Sequence, residues 1–237
     1  LVHNLDGLIG QTFDVMAIQE ADTDERDVAV LRARAKRAGF FLEFGNATAL
    51  QSKKGSRIGR RVALLSRHPL LPSTEGCHGK DEVVSYLSAS GRWVERLIEL
   101  DGGGTTLHVA CLYGVSGASQ HGSKRDHTHL LHASAFARMH ALQSVPYLIC
   151  TDSNLNPAEL PAAEHAKSMG IAHDVFEEGF QGSPPCTFAQ HGGVFPGMKG
   201  TGVTRIDTIF ANQSAVACKS TIGMLYSRAI GKDHVPL

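Results

Sequence analysis

The chain has 237 residues, of which 42% are apolar and 19% are charged, and its 23 basic residues balance its 23 acidic ones. A chain of this length can bury roughly 70% of its unfolded surface, so one large domain with its own core is expected. No apolar stretch approaches the roughly 20 residues that a transmembrane helix needs. The zero net charge gives no whole-chain sign of a polyanionic partner. These numbers favour a soluble, globular protein.

The cysteines are odd in number and far apart: Cys77, Cys111, Cys150, Cys186 and Cys218. They form no C-x-x-C pair, which argues against a disulfide framework and against a zinc knuckle. The first residues, which start at Leu1, show neither the basic nor the apolar region of a signal peptide. We therefore expect a reducing, intracellular setting and a chain excised from a longer protein.

The N-terminal half is predicted to alternate strands with one helix. Asp24 is a suitable N-cap for a helix that continues to Ala38 and stops at Gly39. The inner stripe of this helix comprises Val28, Leu31, Ala35 and Ala38. Strands are expected at residues 13–19, 62–66, 93–100 and 105–113, with a hairpin turn at 101–104.

The C-terminal half mixes helices with buried strands. Helices are expected at residues 126–142 and 158–169, and strands at 147–150 and 206–211. The Gly- and Pro-rich stretch 179–202 is predicted to be a long functional or mobile loop. Hairpins together with crossover helices favour an α/β (α+β) fold, a layered sandwich with mixed sheets in one domain over residues 1–237.

Carboxylate, amide and imidazole side chains recur where the predicted strands end. The positions are Glu20, Asp152, Asn154, Asp207, Asp233 and His234. Side chains at strand ends lie at the rim of a sheet, where binding and catalytic residues are common. Four such stretches therefore predict one shared polar site.

Six short motifs, in order along the chain, resemble those of the endonuclease/exonuclease/phosphatase (DNase I-like) family. They are Gln19-Glu20, residues 59–66, Leu112-Tyr113, residues 151–154, residues 205–207 and Asp233-His234. Each motif is short, but six in order over nearly the whole chain are a strong signal. The resemblance implies a four-layered α/β/β/α sandwich of two packed mixed sheets, with a divalent-metal phosphodiesterase site at one end.

The resemblance also implies a metal site. Hydrolysis of a phosphodiester needs neutralised phosphate charge, an activated water and help for the leaving oxygen. Mg²⁺, or Mn²⁺ in its place, prefers oxygen ligands and needs only one or two carboxylates. Glu20 resembles the family's metal-binding glutamate, and Asp233 resembles the acid that helps at the metal. Taken alone, a strand-end glutamate is usually just solvated.

The same resemblance implies the catalytic residues. His234 resembles the family's catalytic histidine, and Asp207 resembles the carboxylate that orients it. Asp152 resembles the acid that polarises the attacking water or protonates the leaving oxygen, whereas Asn154 would hold a phosphate oxygen. Tyr113 resembles a phosphate-contacting tyrosine.

These residues also have purely structural interpretations. Asp207 could be a surface acid paired with Arg205. Asp152 and Asn154 are typical of an Asx turn, and Tyr113 of a half-buried strand residue. The structural and functional interpretations of Asp152 and Asn154 are compatible at one site.

Several positions depart from the family pattern. Thr151 and Ser153 replace a glycine and a phenylalanine, Gly114 and Val115 follow Tyr113 in place of the family's frequent proline, and Lys232 replaces a common serine. The family's first strand normally ends in an asparagine, for which Asn4 is not a convincing substitute. We therefore expect that the sequence begins after that strand, and that a chain extended upstream is more active and more stable.

A basic stretch precedes the strand predicted at 62–66. Its cations are Lys53, Lys54, Arg57, Arg60 and Arg61. Such a loop could bind a nucleic-acid backbone, because each neutralised phosphate releases condensed counterions. The alternative is a solvated mobile loop.

A second cluster combines four histidines with two cations: His121, His127, His129, His132, Lys124 and Arg125. No cysteine accompanies them and their spacing fits no tetrahedral zinc set, so the polar start of a helix is favoured over a zinc site.

Three functions are compatible with the motifs. The first is a Mg²⁺-dependent DNA endonuclease, most similar to the apurinic-type domains of non-long-terminal-repeat retroelements. It implies DNA as partner, no membrane, a reverse-transcriptase domain downstream in the parent chain, and a nuclear location. The second is a phosphatase or phospholipid phosphodiesterase of the same fold. The third is a catalytically silent binding module, which the departures at Thr151 and Ser153 keep open. The retained residues argue against it: Glu20, Asp152, Asn154, Asp207 and His234.

Overall fold

A computed structural model describes residues 1–52, 55–73, 81–100, 106–179, 188–189 and 203–217. The chain divides into two compact units. The first comprises Leu1–Tyr113 with Tyr147–Ile149, and the second comprises Gly114–Pro146 with the described residues from Cys150 onward. The predicted single domain over the whole chain stays a prediction.

The first unit contains three helices and nine complete strands among its described residues. They are α1 (Leu5–Ile9), β1 (Val15–Ile18), β2 (Thr23–Asp24), α2 (Glu25–Arg37), β3 (Phe41–Phe44), β4 (Thr48–Ser52), β5 (Gly55–Arg60), β6 (Ala63–Ser66), β7 (Leu70–Pro72), α3 (Glu82–Ala89), β8 (Trp93–Glu99) and β9 (Thr106–Tyr113). Three antiparallel groups result, in the orders β1-β6-β3, β2-β5-β4 and β7-β8-β9. The first residues of β10 (Tyr147–Asp152) lie beside β9.

The second unit contains most of the remaining helices and short strands. They are α4 (Gly122–Ala141), the end of β10, a 3₁₀ turn (Pro157–Glu159), α5 (Pro161–Ser168), β11 (His173–Asp174), α6 (Val175–Gly179), β12 (Phe188–Ala189), β13 (Val203–Thr204), β14 (Asp207–Ala211) and α7 (Gln213–Val216). Strand β14 lies between β10 and β11, and β12 pairs with β13. The predicted mixed α/β fold with several sheets is confirmed.

Helix α2 shows how the sequence builds the core of the first unit. It follows Asp24, whose extended backbone is that of an N-cap, and Gly39 has a left-handed φ of 81°. Its stripe packs in one cluster with residues of β3 and β6 through Val28, Leu31 and Ala35. Ala38 is exposed, contrary to prediction. It is the C-cap of α2, and its backbone (φ −91°, ψ 7°) no longer has helical geometry.

The predicted basic loop is wrong over residues 55–60, because Gly55–Arg60 form β5 between β4 and β2. Gly55 has φ 110°, a backbone conformation that favours glycine. A Cβ on Gly59 would lie 2.5 Å from the carbonyl oxygen of Thr23, so only glycine allows β5 to approach β2 this closely.

Most other predicted elements are confirmed with shifted ends. Helix α4 begins at Gly122 rather than at residue 126, and the helix predicted at 158–169 is a 3₁₀ turn followed by α5. The turn at 101–104 and most of the stretch 179–202 lie outside the described residues, although Phe188–Ala189 form β12. None of the helices in the described ranges is long and apolar enough to span a bilayer.

Candidate active site

Glu20 and Tyr113 are brought together in the first unit. Tyr113 ends β9 and is buried rather than half-buried, and its hydroxyl donates a hydrogen bond to Glu20 Oε1. Glu20 lies two residues after β1 with a left-handed φ of 52°, which turns its exposed side chain out of the strand. The guanidinium of Arg92 lies 5.0 Å from the centre of the Tyr113 ring and supports the ring from one face.

This arrangement suits a carboxylate that ligates a hard cation. The phenol holds one carboxylate oxygen of Glu20, and the other makes no hydrogen bond among the described residues. An exposed, oriented carboxylate oxygen is the donor that Mg²⁺ prefers. Within the described ranges no three acidic, histidine or cysteine side chains converge. Asp233, the second predicted ligand, lies outside those ranges.

Asp152 and Asn154 are brought together in the second unit. Asp152 ends β10 and is only 3% exposed, and its Oδ1 accepts a hydrogen bond of 2.9 Å from the backbone N–H of Asn154. Asn154 has φ 53°, which asparagine tolerates better than most residues. The Asx-turn interpretation is therefore confirmed. Asn154 Nδ2 is buried and has no hydrogen-bond partner among the described residues, so it is an available donor.

Asp207 begins β14, directly after Ile206, which is hydrogen-bonded to the turn that follows Asp152. The carbonyl oxygen of Ile206 accepts hydrogen bonds from Ser153 N (2.9 Å) and Ser153 Oγ (2.8 Å). The proposed pairing of Asp207 with Arg205 is wrong. Arg205 is buried and turns to acids of β11 and α6 instead, because a buried guanidinium needs full charge compensation.

Gly114 also holds the end of β10. Its backbone N–H donates a 2.7 Å hydrogen bond to the carbonyl oxygen of Asp152. A Cβ at this position would lie 2.2 Å from the carbonyl oxygen of Ser153. A proline at position 114 would have no N–H and could not make this bond. The glycine therefore fits the contact that this chain makes.

A buried histidine that the sequence did not identify as a site residue lies behind Asp152. His132 Nδ1 is 2.8 Å from the carbonyl oxygen of Thr128, and His132 Nε2 is 3.1 Å from Thr151 Oγ1. A carbonyl can only accept, so Nδ1 carries the proton and Nε2 accepts from the Thr151 hydroxyl. Burial lowers the pKa of His132 from 6.5 to about 4, with a smaller lowering by His129, against the raising effect of the Thr128 bond. His132 is therefore neutral at pH 7.

This histidine predicts a pH-dependent stability. The pKa of His132 in the folded chain lies below its value in the unfolded chain. The contribution of neutral His132 to the free energy of unfolding is therefore complete above pH 6.5, and it is lost as the unfolded chain takes up the proton between pH 6.5 and about 4. The full loss is about 3 kcal/mol of unfolding free energy. Urea unfolding at pH 7 and 4.5 should show a shallower pH dependence for His132→Gln than for the wild type. Equal pH dependence in the wild type and in His132→Gln would contradict the assignment.

The predicted nucleic-acid-binding cations fall in two groups. Lys53 and Lys54 lie outside the described residues. Arg57 and Arg60 belong to β5, and Arg61 follows it. The role of all five in binding nucleic acid stays a prediction.

The three described arginines already have partners within the chain. Arg57 pairs with Asp24 at 3.4 Å, and Arg60 makes two 3.0 Å hydrogen bonds to the carboxylate of Glu25. The bond from Arg60 holds the pKa of Glu25 below its ordinary value. Arg61 donates to a carbonyl of β4 at 2.9 Å. These contacts reduce the positive charge that the stretch offers to a phosphate backbone.

Two further predictions concern the catalytic pair near the C-terminus and the histidine cluster. His234 lies outside the described residues, as Asp233 does. The start of α4 at Gly122 confirms the polar helix start that was favoured over a zinc site for the histidine cluster.

A half-buried serine, a buried glutamate and a buried histidine in the first unit do not form a nucleophile triad. Ser73 Oγ lies 2.8 Å from Glu95 Oε1 and 3.1 Å from His108 Nδ1, and the same ring nitrogen is 3.3 Å from Glu95. A triad needs the serine and the acid on opposite nitrogens of the ring. Here both contact Nδ1, so the cluster is a structural one.

Comparisons with known proteins address the family and the fold. The family model described as Endonuclease/Exonuclease/phosphatase family matches residues 2–227. No curated protein sequence matches the chain. Among solved structures, the chain is similar to the 3'-5' exonuclease NExo of Neisseria meningitidis, with 16% identity and a TM-score of 0.66 over 99% of this chain and 91% of that one. A further NExo structure is bound to a product DNA hairpin.

Two other structures are similar over comparable lengths. The catalytic domain of Xenopus laevis APE2 is 18% identical, with a TM-score of 0.64 over 99% of this chain and 84% of that one. An AP endonuclease of Archaeoglobus fulgidus is 17% identical, with a TM-score of 0.59 over 98% and 90%. At these identities the likeness establishes the shared fold.

Proposed function

Because this chain belongs to the endonuclease/exonuclease/phosphatase family, we propose that it is a divalent-metal-dependent hydrolase of phosphodiester bonds in DNA. The observation that carries the proposal is the Glu20 carboxylate, which the buried Tyr113 hydroxyl orients while one oxygen stays open. A surface acid with no function would not need a buried phenol to fix it. The DNA product in a NExo structure of the same fold supports DNA as substrate.

The chain's own residues suit the parts of this reaction. Glu20, with Asp233, would hold Mg²⁺ or Mn²⁺, which supplies charge neutralisation at the phosphate when bound. The carboxylate of Asp152 can accept a proton from the attacking water or, once protonated, return it to the leaving oxygen. The open Asn154 Nδ2 can donate to a phosphate oxygen as negative charge develops there. Asp207 would orient His234 and fix its tautomer.

The narrower proposal is a nicking endonuclease of retroelement type. It carries with it a nuclear location and a reverse-transcriptase domain in the parent chain. The competing substrates are phosphate esters of inositol or sphingomyelin, for enzymes of the same fold, and the last alternative is a silent binding module. These differ in the molecule that is turned over, so one set of assays separates them.

We expect Mg²⁺-dependent nicking of supercoiled plasmid or cleavage at an abasic site, abolished by EDTA and lowered about 100-fold by Glu20→Gln. Glu82→Gln, the same change at an exposed glutamate of α3, is the control and should keep full activity. Turnover of phosphoinositides or sphingomyelin alone would replace DNA by a lipid substrate. No turnover of any substrate by a folded, metal-loaded protein would refute the enzymatic proposal.

A further inference from the structure

The end of β10 rests on polar groups that are buried from solvent. Thr151, His132 and Thr128 are each 2% exposed or less. Buried hydroxyl and imidazole groups lower stability unless their hydrogen bonds are made, so an apolar packing at the same place would be easier to stabilise. Core packing alone therefore does not explain why polar groups occupy these positions.

The hydrogen bonds of this network have a defined direction. The Thr151 hydroxyl donates to His132 Nε2 at 3.1 Å, and His132 Nδ1 donates to the Thr128 carbonyl at 2.8 Å. The hydroxyl oxygen of Thr128 accepts a 2.9 Å hydrogen bond from the backbone N–H of Val115. One turn of α4 thus binds both β10 and the segment that follows β9.

Both bound segments hold Asp152 directly. Thr151 precedes it in β10, and Gly114, next to Val115, donates its N–H to the Asp152 carbonyl. A displacement of α4 would therefore move both segments that hold Asp152. The Asx turn that presents the Asp152 carboxylate begins at the same end of β10. It is closed by the hydrogen bond from the Asn154 N–H to Asp152 Oδ1.

We infer that His132, Thr151 and Thr128 are positioning residues that fix the Asp152 carboxylate for the hydrolysis, an inference that rests on the proposed function. They do not touch substrate and act only through Asp152. Misplacement of a reacting group by roughly 1 Å lowers the rate about 100-fold, so a support built from short, directional bonds has a measurable effect on kcat. Substrate binding by other residues is left intact, so KM is expected to change little.

The test removes the Thr151 hydroxyl without changing the shape of the side chain. Thr151→Val is expected to lower kcat about 10-fold to 100-fold, with KM within about twofold of the wild-type value. Thr151→Ser, which keeps the hydroxyl, is expected to have a kcat close to that of the wild type. Thr128→Val, which frees the Val115 N–H, is expected to act in the same direction. The matched control is Thr48→Val, because the Thr48 hydroxyl oxygen is buried without a hydrogen-bond partner among the described residues. Circular dichroism confirms that each variant is folded.

A second readout is independent of catalysis. Hydrogen exchange of the Gly114 and Asn154 amides, which bond to Asp152, should accelerate about tenfold or more in Thr151→Val and stay as in the wild type in Thr151→Ser. Nitrogen chemical shifts of His132 should report the proton on Nδ1 in the wild type.

The outcomes separate this inference from the proposed function. An inactive wild type with the expected exchange changes would refute the proposed function and support the positioning of Asp152. Unchanged exchange in folded Thr151→Val would overturn the inference whatever the activity, and so would a wild-type kcat in that variant of an active enzyme.

Discussion

Asp152→Asn is expected to lower kcat for phosphodiester hydrolysis by about 1000-fold while the protein keeps its stability. The Oδ1 atom of Asp152 accepts the Asn154 N–H at 2.9 Å, and the amide oxygen of asparagine can accept the same bond. The turn is therefore preserved, whereas the negative charge and the capacity to exchange a proton are lost. The measurement is kcat with saturating Mg²⁺ on the DNA substrate, together with urea unfolding.

The control for this change is Asp81→Asn. Asp81 Oδ1 accepts the N–H groups of Val83 and Val84 as the N-cap of α3, and asparagine is an equally good N-cap. Both substitutions thus replace an aspartate that accepts backbone hydrogen bonds, but only one is at the candidate site. A folded Asp152→Asn protein with activity within about threefold of the wild type would remove Asp152 from the chemistry.

Local sequence signals were sufficient for several helices, strands and turns. The end of α2 shortly before Gly39 and the antiparallel pairing of β8 with β9 follow from capping and alternation, which depend on neighbouring residues alone. Asp152 and Asn154 were correctly assigned to an Asx turn for the same reason. Their side-chain type and their place after an apolar run contain the necessary information.

Contacts between distant residues could not be predicted in this way. The Tyr113 hydroxyl reaches Glu20 across 93 positions of sequence, and Arg60 reaches Glu25 across 35. The basic stretch therefore looked like a free loop, although its arginines are paired and its glycines allow a strand. Ion pairs that form only on folding leave no periodic pattern in the sequence.

The support behind Asp152 was missed because a single histidine in a helix has no specific signal. Only the spacing of Thr128 and His132, four residues apart in α4, hints at the bond between them. Thr151 and Gly114 were noticed as departures from the family pattern, but their partners were not. Here the departures are the residues that contact His132 and Asp152.

Arg205→Met is expected to lower the free energy of unfolding by about 3–5 kcal/mol. Arg205 Nη1 contacts both carboxylate oxygens of Asp174, at 2.9 and 2.7 Å, and Nη2 contacts Glu177 at 3.2 Å. The Arg205 and Asp174 side chains are only 7% and 1% exposed, so removal of the cation leaves a carboxylate buried without compensation. Ile206, the residue after Arg205, is hydrogen-bonded to the turn that follows Asp152, so loss of the Arg205 guanidinium should also reduce activity.

The second substitution that tests this explanation is Asp174→Asn in the Arg205→Met background. Asp174 Oδ1 also accepts the N–H of Phe176 at 3.1 Å, a bond that asparagine can keep. If uncompensated charge causes the instability, the double variant is more stable than Arg205→Met alone, even though one more charged group has been removed. Urea unfolding of the wild type, both single variants and the double variant gives the coupling energy. Additive losses, or a loss below about 1 kcal/mol for Arg205→Met, would mean that the pair contributes no more than an exposed salt bridge.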